Sequence, residues 1–368
     1  MALLPTSRDS TTMTAVPPAD PPALLLTGPA RHGVVRYARD VADQVRLLDP
    51  DATVVQVSDP AELVGVAAGY PRVHLHVTDR LLGRGPEEAA ALVERVADVT
   101  RLTVTLHDVP QPSDGVVNLP RRVSGYARVA AAAAGVVVNS RHEALLLVEH
   151  DVVPADRAVA VIPLGASPAS ATAPTSATAA LGDAHPAALV ALVAGYVYPG
   201  KGHDDVVRAV AVAADRLRAA GHALTEVAVV AVGGPSAGHE HDVDALRAEA
   251  DRRGVDLRVT GSLDDEAFRA ALRGPGIPVA AHQHLSASRT LLDWGEQGRR
   301  PLVVSSRYAR EMAALRPGTL TPYAPGLLPE ALVHAWRDPA STALPPGTDL
   351  APTLADVAAA YRTWWAGA

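Results

Sequence analysis

Cysteine is missing from this chain of 368 residues, and aromatic residues are scarce. Without cysteine there is neither a disulfide bond nor a thiol nucleophile, which fits a reducing compartment. Aromatic residues make up 4% of the chain and hydrophobic residues 48%, so its cores must be built from Ala, Val and Leu. A chain of this length is typical of two domains.

Long hydrophobic runs and an excess of positive charge are missing too. No stretch approaches the ~20 continuous apolar residues that cross a bilayer. Residues 1–22 lack the basic start and apolar centre of a signal peptide, so we expect a disordered tail there. The formal charge of −7 gives no reason to expect nucleic acid or an anionic membrane as a partner. We therefore expect a cytoplasmic protein without an integral membrane segment.

Short apolar runs alternate with amphipathic stretches in the first half of the chain. Near-continuous apolar strands separated by helices indicate a parallel sheet that is covered on both faces. Residues 23–166 thus form a predicted N-terminal Rossmann-like domain. Its predicted strands are 23–27, 53–57, 72–77, 102–106, 135–139 and 158–162, and its predicted helices include 34–48, 87–99 and 141–150.

A run rich in Ala, Ser, Thr and Pro follows at 167–187 and is typical of a linker. The alternation then restarts and predicts a C-terminal Rossmann-like domain at 188–345. Within 346–368 we expect a helix that packs back on the N-terminal domain. The predicted strands of this half are 189–195, 227–232, 256–261, 277–281 and 301–305, and the predicted helices include 204–219, 242–253, 265–272 and 354–365.

Two such domains face each other across a cleft, and ligands bind at the carboxyl edges of open parallel sheets. After the first strand, Gly28 and Gly33 allow a close approach of an anionic ligand to backbone N–H groups. A turn made for packing alone would also need glycine. The spacing is not G-x-G-x-x-G, which argues against a nicotinamide or flavin cofactor.

Lys201 is the only lysine in the chain, in the segment GYVYPGKGHDD. It lies between Gly200 and Gly202, after a predicted strand and at the start of a predicted helix. A compact cation at that position meets a diphosphate whose oxygens also face the helix N-terminus. The alternative is a solvated surface lysine.

Two further loops carry polar groups. In TLHD, His107 ends a predicted central strand and is followed by Asp108, which can orient the imidazole or cap the next segment. In AHQHLSASRTLLD, the small residues Ser286, Ala287 and Ser288 suit a turn with backbone N–H donors. The histidines at 107, 282 and 284 have no helical metal-binding spacing, so we expect no metal site.

Together these segments resemble the retaining glycosyltransferases of family 4, which have the GT-B fold. The resemblance rests on the order of TLHD, VVVNSRHEALLL, VIPLG, GYVYPGKGHDDVVRAVA and GRRPLVVS between residues 23 and 337. It implies transfer of a sugar from a nucleotide diphosphate sugar to a hydroxyl acceptor, with retention and without a metal. UDP is the expected nucleotide, and the acceptor is unknown. No resident cofactor is expected.

The resemblance also implies roles for particular residues. His107 would face the transferred sugar, and Lys201 would bind the diphosphate. Asp293 would bind the ribose in place of a glutamate. The other expected donor contacts are Gly33, Tyr196, Gly261, Ser286, Ala287, Ser288 and Arg289.

This chain departs from the family pattern at three positions. Tyr196 stands where the family has an arginine on the diphosphate, so Arg299, Arg300 or Arg289 would have to replace that cation. Leu285 stands at the first glutamate of the Glu-x7-Glu motif, and the second is shortened to Asp293. These departures leave two alternatives open: a GT-like partner that binds nucleotide sugars without catalysis, and an epimerase or hydrolase of the same fold.

Overall fold

The computed structural model describes residues 21–30, 32–167, 187–236, 238–284 and 286–368. The tail predicted at 1–22 and the linker predicted at 167–187 lie almost entirely outside these residues, and so does Leu285. Within the described ranges no helix is both long and apolar enough to cross a membrane. The chain has the predicted α/β organisation of two parallel sheets.

The first sheet contains six described strands in the order β2-β1-β3-β4-β5-β6, all of them parallel. Most residues of these strands are buried, as in a parallel sheet that is covered on both faces, and β3 and β4 also bury the polar side chains of His74, Thr103 and Thr105. The strands are β1 (Ala23–Thr27), β2 (Val54–Val57), β3 (Arg72–Val77), β4 (Arg101–Leu106), β5 (Gly135–Val138) and β6 (Ala160–Val161). The helices are α1 (Gly33–Leu48), α2 (Leu63–Ala67), α3 (Asp79–Leu82), α4 (Pro86–Ala97), α5 (Gly115–Ala132) and α6 (Arg141–Glu149).

The second sheet also contains six described strands, in the order β12-β11-β10-β7-β8-β9. Its strand order reverses between β7 and β10, and such a switch point is where open α/β sheets bind ligands. The strands are β7 (Ala188–Ala194), β8 (Glu226–Val232), β9 (Asp256–Val259), β10 (Ile277–Ala280), β11 (Leu302–Val304) and β12 (Thr321–Tyr323). The helices are α7 (His203–Ala219), α8 (Glu240–Arg252), α9 (Asp265–Arg273), α10 (Arg289–Glu296), α11 (Arg307–Leu315) and α12 (Leu328–Arg337).

The last helix, α13 (Leu354–Gly367), returns to the first domain. Val357, Tyr361 and Trp365 are buried with Val41 and Val45 of α1 in one apolar cluster. Two polar contacts fix the helix on the sheet. The Tyr361 hydroxyl lies 2.8 Å from Thr105 Oγ1, and the Trp365 indole donates to His74 Nδ1 at 3.3 Å. The first domain is therefore completed by the end of the chain.

The segment 110–121 contains three prolines, which favour a loop, but its second part is helical. A short 3-10 turn at Pro112–Asp114 leads directly into α5, which begins at Gly115. Pro120 lies in the second turn of α5, where it removes one intrahelical hydrogen bond. The proline made the segment resemble a loop, but packing against α4 keeps it helical.

Candidate functional site

The loops after β7 and β10 pack directly against each other at the switch point of the second sheet. The Gly200 carbonyl accepts a hydrogen bond from the Gln283 N–H at 2.8 Å. A Cβ at Gly202 would lie 2.2 Å from the Ala281 carbonyl oxygen, and Gly202 has a φ of +89°. Only glycine fits there, for both reasons. The close contact fixes the backbone on either side of Lys201.

Lys201 is 9% exposed and extends back toward the end of β7. Its Nζ lies 3.1 Å from the place that a Cβ of Gly195 would occupy, so Gly195 leaves room for the ammonium group. Among the described residues, no carboxylate lies within ion-pair distance of Nζ, and the nearby Asp293 is paired with Arg289 instead. Burial lowers the pKa of Lys201 to about 8, and the charge of Asp293 opposes that shift. The structure thus holds a buried cation with no protein counter-ion in contact.

Asp293 and Arg289 lie one turn apart on α10. Arg289 Nε is 3.1 Å from Asp293 Oδ1, and Arg289 also binds both carboxylate oxygens of Glu296 and the Gly165 carbonyl. Burial raises the pKa of Asp293 to about 6, although Arg289 acts in the opposite direction. Arg289 is therefore engaged by this domain and by the end of the first one.

The turn Ser286–Ser288 already has partners within the protein. Glu143, at the start of α6 in the first domain, accepts hydrogen bonds from the Ser286 hydroxyl and from the Ala287 N–H at 3.1 Å. The Ser288 N–H donates to the Tyr308 hydroxyl at 2.9 Å. Glu143 is fully buried, and this burial raises its pKa although four hydrogen bonds oppose the shift. A carboxylate of one domain thus occupies donors that the resemblance assigns to the ligand.

Arg299 and Arg300 do not replace the missing arginine, because both precede β11 at the amino edge of the sheet. Arg299 is fully buried, and its guanidinium donates to the carbonyls of Leu272, Gly274 and Gly276. The ligand edge is the opposite one. The proposal of either arginine as a diphosphate ligand is wrong for this reason.

Three other predicted donor contacts, Gly33, Tyr196 and Gly261, lie shortly after the strands β1, β7 and β9. Gly33 is the first residue of α1, with open space where a Cβ would be. Gly261 has a φ of +75° and also faces open space. Tyr196, directly after β7 and Gly195, is 52% exposed. These positions are compatible with a ligand, and none of them makes a contact that defines one.

His107 lies at the end of β4 and is 5% exposed. Its Nε2 is 2.9 Å from His76 Nδ1, and its backbone carbonyl accepts a hydrogen bond from the Tyr126 hydroxyl. Tyr37 packs edge-on against the imidazole. Burial, followed by the neighbouring His76, lowers the pKa of His107 well below its usual value. His107 is therefore a neutral imidazole held in one position. His76 was not predicted from the sequence, although strand alternation places it on β3 opposite the end of β4.

A cleft of 580 Å³ separates the first domain from residues 198–200 and 283–284 of the second. On one side of the cleft, Arg122 binds the carboxylates of Asp79, Asp108 and Asp114.

A contact between the domains lies beside this cleft. His284 Nε2 of the second domain is 2.6 Å from Asp108 Oδ1 of the first. Asp108 itself has a φ of +55°, an uncommon conformation for a residue other than glycine. The rim carries Arg80, Arg84 and Arg121. Such a polar groove suits a hydroxyl-rich ligand.

Within the described ranges, no group of three histidine, aspartate or glutamate side chains could hold a metal ion. His282 and His284 come from the predicted loop, but only His284 makes contacts with carboxylates.

Comparisons with known proteins show which solved structures share this architecture. No family model matches the chain, and no curated protein matches it either. Among solved structures, HepE of Anabaena in complex with UDP and glucose has 15% identity, a TM-score of 0.64, and coverage of 94% of this chain and 97% of HepE. Sucrose-phosphate synthase of Thermosynechococcus elongatus has 13% identity, a TM-score of 0.63 and coverage of 94% of each chain.

A third similar structure is the lipopolysaccharide outer core galactosyltransferase WaaB. It has 10% identity and a TM-score of 0.56, with coverage of 93% of this chain and 98% of WaaB. At these identities the similarity establishes the fold. The chain has the GT-B architecture, in which two Rossmann-like domains face each other across a cleft.

Proposed function

We propose that this protein is a cytoplasmic glycosyltransferase that moves a sugar from a nucleotide diphosphate sugar, UDP-linked, to a hydroxyl acceptor. We further propose that the anomeric configuration is retained and that neither a metal nor a resident cofactor takes part. The GT-B fold supports the class of reaction, and similar structures hold UDP or UDP-glucose. The resemblance described above supports retention.

The observation that carries the proposal is the state of Lys201. A buried ammonium group without a contacting carboxylate is unfavourable unless an anion joins it. It lies at the switch point beside the start of α7, where backbone N–H groups and the helix dipole also favour negative charge. As the sugar leaves the diphosphate, the charge that develops on the phosphate would be stabilised there.

His107 is proposed to contact the transferred sugar. It is neutral, so it acts as a hydrogen-bond partner of a sugar hydroxyl and not as a cation. The 580 Å³ cleft next to it would hold the acceptor. With retention and without an assigned nucleophile, the acceptor hydroxyl would pass its proton to the departing diphosphate on the same face of the sugar.

A second candidate function is a nucleotide-sugar-binding partner without catalysis. Leu285 favours it, because that position lacks a carboxylate for the sugar hydroxyls. Engagement of Ser286 and Ala287 by Glu143 favours it too. Such a protein would bind UDP and release no sugar from UDP-hexoses with any acceptor.

The test is a thermal-shift and calorimetry panel of nucleoside diphosphates and nucleotide sugars. A ligand at 100 times its Kd stabilises the protein by about 2.7 kcal/mol, which is easily detected. We expect UDP to bind wild type, and Lys201→Ala to weaken binding by about 1.5–3 kcal/mol, as for a charge-assisted hydrogen bond.

Transfer is then followed as release of UDP in the presence of acceptor mixtures, with and without EDTA, and the product anomer is read by NMR. Absence of all nucleotide binding in wild type would refute the proposal. An inverted product, or full dependence on a metal, would refute its finer parts.

A further inference from the structure

Two histidines beside Lys201 have buried ring nitrogens without partners. His203, the first residue of α7, is 3% exposed, and neither of its ring nitrogens has a hydrogen-bond partner within the described part of the chain. His282, just after β10, is 5% exposed, and its Nδ1 has no partner. Buried polar atoms of this kind are rare and costly, and they call for a ligand or another function.

The two imidazoles belong to the loops that enclose Lys201. The contacts of Gly200 with Gln283 and of Gly202 with Ala281 hold these two loops together. The charge of Lys201 acts on both histidines, and His284 acts on His282 as well. Burial is the larger cause, and the pKa of each falls to about 3. Both rings are thus neutral in the free protein.

Among the residues that the structure describes, no carboxylate is in ion-pair contact with any of these three basic side chains. Asp293 influences Lys201 from α10, but its closest cation is Arg289. Asp205, two residues after His203, accepts hydrogen bonds from Arg208 and Gln283 instead. The group therefore has the composition of an anion-binding site.

We infer that His203 and His282 complete the diphosphate site around Lys201, and that they become imidazolium groups when the diphosphate binds. This inference rests on the proposed function and deepens it. The two imidazoles supply the positive charge that Tyr196 fails to supply and that Arg289, engaged by Asp293, Glu296 and Gly165, cannot provide. A polyanion reverses the local potential, so binding and proton uptake are linked.

The experiment uses the full chain with inorganic pyrophosphate and UDP as separate probes. Calorimetry is done slightly below neutral pH, where Lys201 is already charged, in buffers of different ionisation enthalpy. We expect His282→Asn and His203→Asn each to bind both probes at least tenfold more weakly and to take up fewer protons. The matched control is His241→Asn on α8, whose side chain is 79% exposed.

Ionisation of the probe itself is the same for all variants. The difference in proton uptake between wild type and a variant therefore measures the protons bound by the imidazole that was removed. Affinity within twofold of wild type, or an unchanged number of protons, would overturn the inference. A second readout needs no variant. In wild type with labelled histidine, two ring signals that are neutral in the free protein should move to imidazolium shifts on saturation with pyrophosphate, and no such change would also overturn it.

The outcomes separate this inference from the proposed function. If UDP binds and the histidine variants are unaffected, the inference fails and the proposed function stands. If pyrophosphate binds with proton uptake but no nucleotide does, the inference stands for a simple polyanion and the proposed function fails.

Discussion

The carboxylate of Glu143 in the first domain accepts a hydrogen bond from the Ala287 N–H in the second, at 3.1 Å. The same N–H is a candidate donor to the phosphate of a nucleotide sugar. An internal carboxylate would therefore compete with such a ligand for one backbone donor. The carboxylate also accepts from Asn139 N–H and the Ser140 hydroxyl, which keeps it in place.

For Glu143→Gln we expect a loss of about 1–3 kcal/mol in the free energy of unfolding, because one buried acceptor becomes a donor. We also expect tighter binding of UDP, because a neutral amide competes less well for the Ala287 N–H than a carboxylate does. Chemical denaturation and calorimetry measure the two effects. Unchanged UDP affinity would show that the ligand does not use this N–H.

Binding of UDP should weaken above pH 8. Lys201 has a pKa of about 8 in the free protein, and only its charged form attracts the diphosphate. Between about pH 7.5 and 9 the charged fraction falls, so the Kd for UDP should rise about five- to tenfold. Lys201→Arg is the control, since its guanidinium stays charged and its profile should be flat. A flat wild-type profile would contradict the role of Lys201.

Removing the imidazole at position 107 should affect turnover more than binding. We expect His107→Ala to lower kcat about 100-fold or more while the Kd for UDP changes less than threefold. Because its pKa lies well below the usual value, His107 should add no limb to the pH–rate profile near 6.5. A comparable loss of kcat and nucleotide affinity would instead mark it as a residue that maintains the fold.

Ionisation of Asp293 should lower the free energy of unfolding at neutral pH. Its pKa is raised from 3.8 to about 6, so the folded state disfavours ionisation, and this cost is fully present above pH 6 and absent below 4. We therefore expect Asp293→Asn to raise the free energy of unfolding by about 1–2 kcal/mol near pH 7.5, but not near pH 4. Denaturant titrations at the two pH values measure this.

The same variant should bind UDP more weakly if Asp293 contacts the ribose. Glu296→Gln is a matched control, because Glu296 also binds Arg289 but lies one turn further along α10. A stability gain of equal size at both pH values would contradict the electrostatic explanation.

The architecture could be predicted from the sequence because its strands are buried on both faces. Runs such as Ala23–Thr27 and Glu226–Val232 are nearly continuous in hydrophobicity, and that signal does not depend on partners. β12 was not predicted because it has only three residues and Pro322 lies at its centre. A proline is tolerated there because β12 is an edge strand. Helix α5 escaped because of Pro120.

The site was predictable only where one residue carried its own signal. Lys201 stands out in composition, and the structure places it at the switch point. Glu143 could not be selected from the sequence, because its significance comes from Ser286, 143 residues away. The significance of His203 comes from the burial of its ring nitrogens without a hydrogen-bond partner among the described residues, which no sequence pattern shows. Arg299 is the opposite case. Its motif, GRRP, suggested a diphosphate ligand, but its guanidinium donates hydrogen bonds to buried backbone carbonyls at the amino edge of the sheet.

The position of α13 has a consequence for how the chain is made. During synthesis the first domain emerges more than 180 residues before Tyr361 and Trp365, which cover Thr105 and His74. Until then one face of the first sheet exposes apolar and polar groups to water. The second domain has all its strands earlier, so the domain that begins the chain is the last to close. Helices α1 and α13 can meet only after residues 354–367 have been synthesised.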